Sequence, residues 1–374
     1  MTISKIECWV FRAPIEAPVS TAFGTMTSRP ALFMRVSASD GAWGWGEVFC
    51  NFPQVGAEHR ARLIDSLFAP LLHGSPSEDP PRLLVRLEEQ TRRIAIQCGE
   101  PGPFAQIIAA VDQAMWDLAA RRAGLPLWKL LAFDAKAPCN RVRVYASGLG
   151  PDYVTETALR KKAEGFEAFK FKVGFTAERD RTNFAEIRAA LGSEAVIMVD
   201  ANQAWSPGTA ARRIADLAPF SPYWVEEPLA ADEPISQWRE LAGQCGVPLA
   251  AGENLRGMGA FNEALDAGYL AFVQPDVAKW GGISGCLDVA LLARSRTAVF
   301  CPHWLGGGIG LAASLHLRAA MGPEGYAEVD ANLNPLREEV FSPSPKDGWV
   351  TLTDEPGLGV EPDLARLSAY LSAH

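Results

Sequence analysis

From about residue 140 onward the chain repeats one pattern, and that pattern leaves little freedom in the choice of fold. Short apolar runs end in polar residues: "VRVYAS", "AFKFKVG", "AVIMVDANQ", "YWVEEP", "VPLAAGEN", "YLAFVQPD", "AVFCPHW" and "YAEVD". Stretches of helical period such as "RDRTNFAEIRAALG", "GTAARRIADLA" and "GAFNEALDAG" fill the gaps. Strands covered on both faces read as continuous apolar runs, whereas half-exposed strands alternate. Eight such runs predict an α/β fold, a TIM-type (β/α)7-8 barrel over residues 126–339, with helices outside and parallel strands within.

The first 125 residues have another character. "ISKIECWVF", "ALFMRVSAS" and "AWGWGEVF" read as antiparallel strands, followed by helical patterns in "AEHRARLIDSLFAPLL", "PRLLVRLEEQTRRI" and "FAQIIAAVDQAMWDLAARRAG". Strands first and helices second describe an α+β capping domain. The C-terminal segment, about 340–374, holds turns and one short strand signal and is expected to complete that domain. Between the first two strands "PIEAPVSTAFGTMTSRP" reads as a long loop, and loops of this length are often binding lids.

Composition removes whole classes of function. Of 374 residues 48% are hydrophobic and 21% charged, as in globular domains. The 35 basic residues are outweighed by 44 acidic ones, giving a net charge of −9 without a basic run, which argues against nucleic acid. No signal peptide or transmembrane span is legible, so no membrane partner is expected. Seven scattered cysteines without a C-x-x-C pair suggest free thiols in a reducing compartment, and the cytoplasm is the expected location.

The chemistry lies where the strands end. Lys172, Asp200, Glu226, Glu253, Asp276, His303 and Glu328 follow one another at intervals of roughly 25 positions, close to the length of one strand–helix unit. A barrel's active site forms at the C-terminal ends of its strands. Residues two apart on a strand share a face, so Lys170 and Lys172 of "FKFKVG" point the same way and need negative charge in front of them. Asp200, Glu226 and Glu253 come from three successive strands. Any one alone could be a helix cap, but three converging carboxylates call for a cation, and hard oxygen ligands favour Mg2+, with Mn2+ as a substitute. Asp276 and His303 lie on neighbouring strands, where the carboxylate can orient the imidazole as a general base. His59, His73, His316 and His374 read as structural or surface residues. Asn202 reads equally as a metal or substrate contact and as a loop-capping amide. Lys279 reads as a structural or electrostatic residue.

"KFK", "VDANQ", "VEEP", "GEN", "QPDVAKWGG", "CPH" and "AEVD" resemble the successive strand-end motifs of the enolase superfamily, in its mandelate racemase subgroup. The resemblance covers nearly the whole chain, and "PVSTAFGT" is similar to the family's mobile specificity loop. It implies removal of the proton α to a carboxylate of a small-molecule substrate through a metal-stabilised ene-diolate. By resemblance Asp200, Glu226 and Glu253 hold the metal, Lys170 adds charge to one substrate oxygen, and Glu328 donates a hydrogen bond to another. Lys172 is the base on one face of the α-carbon, and His303, supported by Asp276, serves the opposite face. Asn202 and the lid residues Thr21 and Phe23 are further candidate substrate contacts, and a homo-oligomer is expected. For these roles Lys172 must be partly neutral and Glu328 protonated.

The leading reading is an acid-sugar (2-hydroxy acid) dehydratase. A racemase or epimerase of a small 2-hydroxy acid is the alternative, since "VSTAFGTM" is short, fairly apolar and lacks Arg, Lys or Asp to grip several hydroxyls. A Schiff-base barrel enzyme would need a desolvated lysine and no metal, and a non-catalytic relative would have lost some of the set.

Overall fold

The computed structural model describes residues 1–21, 24–132 and 139–373, with the side chains of all but residues 17, 20 and 21. In the N-terminal domain β1 (Ile3–Thr21), β2 (Gly24–Ala38) and β3 (Trp43–Val48) form an antiparallel sheet in that order. Of the stretch 14–30, expected to be a loop, residues 14–21 and 24–30 are the outer parts of β1 and β2. Val19, Ser20 and Thr21 pair with Met26, Thr25 and Gly24, beyond a register shift between Pro14 and Val19. Prolines at 14 and 18 cannot donate to a ladder. They break the pairing locally, and they mask the strand signal in the sequence.

Three helical segments cover this sheet: Gly56–Leu63, which continues through a π turn at Ile64–Phe68 into Ala69–Leu72; Pro80–Gln97; and Pro101–Ala123. Asp79 caps the second by accepting from Arg82 N at 3.0 Å, and Pro80 suits the first helical position because its missing N–H has no partner there. The strand β3 lies flush on Pro101–Ala123. A Cβ added at Gly44 or Gly46 would sit 2.0 Å from the carbonyl oxygen of Ala114 or Ala110.

All eight apolar runs form parallel strands: β4 (Arg141–Leu149), β5 (Ala168–Lys172), β6 (Val196–Asp200), β7 (Val225–Glu226), β8 (Leu249–Ala251), β9 (Phe272–Val273), β10 (Val299–Phe300) and β11 (Ala327–Asp330). They pair in sequence, and β11 returns to pair with β4. Among the described residues no ladder joins β10 to β11; Tyr326 N–H to Cys301 Sγ, at 3.4 Å, spans that seam. The last two strands part company. β12 (Trp349–Thr351) runs antiparallel to β4, and β13 (Leu371–Ser372) antiparallel to β1.

Strand alternation sorts the barrel's side chains. Phe169, Phe171, Ile197 and Val199 face the outer helices in the main core, while Tyr145, Ala168, Met198, Trp224, Ala250, Phe272 and Cys301 plug the interior. This floor is buried and mainly apolar, so the polar residues at the C-terminal ends of the strands sit on a low-dielectric base. Among the described residues no helix is long and apolar enough to cross a membrane.

Candidate active site

The register of the sheet sets the site. Lys172, Asp200 and Glu226 are successive register partners across β5, β6 and β7, so their side chains share one layer above the floor. Lys170 lies one step deeper. Its ammonium is 2.5 Å from Glu226 Oε1, 3.0 Å from Glu328 Oε1 and 3.8 Å from Asp200 Oδ2, over the ring of Tyr145. Lys172 Nζ meets Asp200 Oδ2 at 2.6 Å. On the far side His303 donates from Nδ1 to Asp276 Oδ2 at 2.6 Å and from Nε2 to Glu253. Lys279 Nζ reaches Glu253 Oε2 at 3.3 Å and lies over the Phe49 ring contributed by the N-terminal domain. Lys172 and His303 thus bracket the carboxylates of the middle strands.

Burial and close charges set the protonation states. Burial alone would strip the proton from Lys170, but Glu226 and Glu328 hold its pKa well above the ordinary lysine value. Burial opposes the charge on His303 too, yet Glu253 and Glu328 raise its pKa well above the ordinary imidazole value. Burial lifts the Glu226 carboxyl to about 7 against the pull of Lys170. Burial lowers the Lys172 pKa and Lys170 adds to that, but the Asp200 carboxylate outweighs them and raises it. Burial would raise the Glu328 pKa, but Lys170 and His303 bring it below the usual range. Glu328 accepts from the Ser147 hydroxyl and from Trp304 N–H at 3.3 Å.

The three carboxylates suit a hard divalent cation in number and chemistry, and buried acceptors without partners surround them: Asn202 Oδ1, Glu227 Oε2 and Gln274 Oε1. As placed, however, Asp200, Glu226 and Glu253 are turned onto Lys172, Lys170 and His303, and no group of three such ligands among the described residues shares one centre. Asn202 is drawn in by its N–H on Asp200 Oδ1 at 2.8 Å and its side-chain amide on Oδ2 at 3.1 Å, with a left-handed φ of 44°.

Phe23, the side chain of Thr21 and His374 lie outside the described residues. His316 is buried and accepts from Trp128 N–H at 3.1 Å. Sequence reasoning missed Tyr145, Ser147, Trp224 and Gln274. Gln274 donates to Glu226 Oε2 at 2.6 Å and Trp224 to the same oxygen at 3.2 Å. Gln274 ends its apolar run in "QPD" as the named residues end theirs, so its signal was present; the aromatic residues inside apolar runs carry none.

With this geometry in place, comparison with known proteins is direct. Residues 5–132 match the mandelate racemase / muconate lactonizing enzyme N-terminal domain, and residues 153–366 match the enolase C-terminal domain-like family. The chain belongs to the mandelate racemase/muconate lactonizing enzyme family of the enolase superfamily. It is 29% identical over 96% of both chains to a D-galactarolactone cycloisomerase of Agrobacterium fabrum. It is also 29% identical, over 89% of this chain and 88% of the relative, to a D-galactonate dehydratase of Xanthomonas oryzae. A solved racemase from Streptomyces coelicolor, with bound magnesium, superposes with a TM-score of 0.89 at 29% identity, covering 99% of this chain and 100% of that one. Like its relatives in this family, the chain is an enzyme.

Proposed function

We propose that this enzyme removes the α-proton of a 2-hydroxy acid sugar and expels the 3-hydroxyl, acting as an acid-sugar dehydratase. The observation that carries the reading is the bracketing of one carboxylate cluster by Lys172 on one side and the Asp276-oriented His303 on the other. In this reading Asp200, Glu226 and Glu253 hold Mg2+, with Mn2+ as a substitute. The ion would supply positive charge that acidifies the α-proton and, by engaging Asp200, would release the pull that keeps Lys172 protonated.

The chain's own residues do the rest. Lys170, fixed as a cation by Glu226 and Glu328, meets the negative charge that develops on the substrate carboxylate, and a preorganised cation in a dry site is worth more than one in water. Lys172 takes the proton from C2. The His303 imidazolium gives a proton to the departing 3-hydroxyl, which leaves as water, and the resulting enol becomes the 2-keto-3-deoxy acid. Since Glu328 is an acceptor, its part is to hold Lys170, the Trp304 N–H and the Ser147 hydroxyl in place.

The second reading, racemisation or epimerisation at C2, is favoured by the same two-sided placement, with His303 returning a proton to C2 instead. Incubating the Mg2+-loaded enzyme with a panel of sugar acids separates the two. Dehydration predicts a 2-keto product; inversion or deuterium incorporation at C2 in D2O without keto acid would replace it by the epimerase reading. A homo-oligomer in a reducing cytoplasm completes the proposal, the latter supported by seven cysteines that are all free.

A further inference from the structure

"GWGE" (residues 44–47) in the first domain and "GGGIG" (306–310) after the His303 strand are two glycine-rich stretches that the proposed chemistry leaves unused. The structure joins them. Glu47 is buried at 2% exposure, far in sequence from the barrel, and its carboxylate accepts from Gly307 N–H at 2.5 Å and Gly310 N–H at 3.0 Å. Those N–H groups open the Gly308–Ala320 helix, where backbone donors lack partners within the helix and favour negative charge. The glycines are what allow the approach. A Cβ at Gly307 would sit 2.8 Å from Glu47 Oε1, and one at Gly310 would strike the Trp304 ring at 1.9 Å.

From there contact runs straight to the site. Trp304 Nε1–H donates to Gly307 O at 3.1 Å, while Trp304 N–H donates to Glu328, and Trp304 follows His303 directly. The strand holding Glu47 is itself gripped. Gln113 accepts from Glu47 N–H at 3.2 Å and donates to Val277 O at 2.8 Å, next to Asp276. One pair of buried side chains from the N-terminal domain therefore holds the loops that carry both members of the Asp276–His303 pair.

We propose that Glu47 is a positioning residue for the reaction: it fixes the Gly306–Gly310 turn, and through Trp304 it sets His303, while leaving the Lys172 side of the site untouched. A simple staple between domains would affect both sides alike. A buried carboxylate at this position lets the separately built N-terminal domain complete one half of the acid–base machinery.

Two variants test this, Glu47→Gln, which keeps the shape but replaces one acceptor oxygen by a donor facing an N–H, and Glu47→Asp, which keeps the carboxyl group and withdraws it. Hydrogen–deuterium exchange is read on peptides covering 303–312 and on peptides covering β5 and β6. We expect exchange in 303–312 to quicken about tenfold or more, as for a locally opened segment, with β5 and β6 unchanged. Activity rests on the acid-sugar reading above and is probed with D-galactonate and its 2-epimer D-talonate plus Mg2+ in D2O, with K172M and H303N identifying which epimer reports which side. The His303-side exchange should fall about 10- to 100-fold, the scale of a small misplacement, and the Lys172-side exchange should stay within about threefold of wild type. Unchanged protection at 303–312, or equal loss on both sides, would overturn the proposal. Should the wild-type enzyme exchange neither epimer, the acid-sugar reading fails for these probes, and the protection measurement alone decides the role of Glu47.

Discussion

A buried imidazole shows how strongly single residues are set by their surroundings. Burial lowers the His316 pKa to about 3, with its ring facing the Trp128 N–H. In the unfolded chain it titrates near about 6.5. Between these values the unfolded state binds the extra proton, so stability rises with pH and is lost on acidification at up to about 1.4 kcal/mol per pH unit. Urea unfolding at pH 7 and pH 5 should show His316→Asn, which keeps an acceptor near the Nδ1 position, with a shallower acid loss than wild type; equal slopes would contradict it. In the active site, Lys172→Met should reduce α-proton exchange on its own side by about 10²- to 10⁴-fold, the usual worth of a positioned base, while exchange on the His303 side persists. The residues at the strand ends were legible because polar groups at the close of apolar runs are costly unless they act together. Their protonation was not legible. Which carboxylate faces Lys172, and how near, is decided by neighbouring strands, and the 2.6 Å contact with Asp200 raises the lysine's pKa against burial and Lys170.

At the scale of elements, the eight barrel strands were readable from their runs, since burial on both faces leaves no other composition. The paired outer strands at 14–21 and 24–30 were not, because two prolines and several small residues hide their pairing. Their anchor explains how they stay in place. Arg29 on β2 pairs with Asp330 at the end of β11, at 2.6 Å, both nearly fully buried, and also donates to Leu333 O at 3.2 Å. Arg29→Met should cost about 3 kcal/mol, because it leaves Asp330 without its main partner, somewhat less if Arg337, 3.7 Å away, moves in. Chemical unfolding checks this, and a loss under about 1 kcal/mol would mean the pair contributes no more than a surface ion pair. The glycines of "GWGE" illustrate the same limit of reading from sequence. They mark a close approach, but only the helix beneath β3 shows to what.

For the whole molecule, the apolar floor, the ring of strand-end charges and the overlying N-terminal domain form one arrangement in which carboxylates outnumber the cations available to them. Adding a divalent cation should therefore stabilise the fold. Mg2+ at a hundredfold excess over its Kd should add about 2.7 kcal/mol by mass action, and Asp200→Asn should largely abolish that gain, as read by thermal unfolding with and without EDTA. The central claim is metal-dependent removal of an α-proton between Lys172 and His303. Its most direct test is NMR observation of the C2 proton of a panel of 2-hydroxy acid sugars in D2O. The C2 signal of at least one acid should disappear in the presence of Mg2+ and persist in EDTA. Exchange undiminished by EDTA, or none with any acid of the panel, would contradict the account.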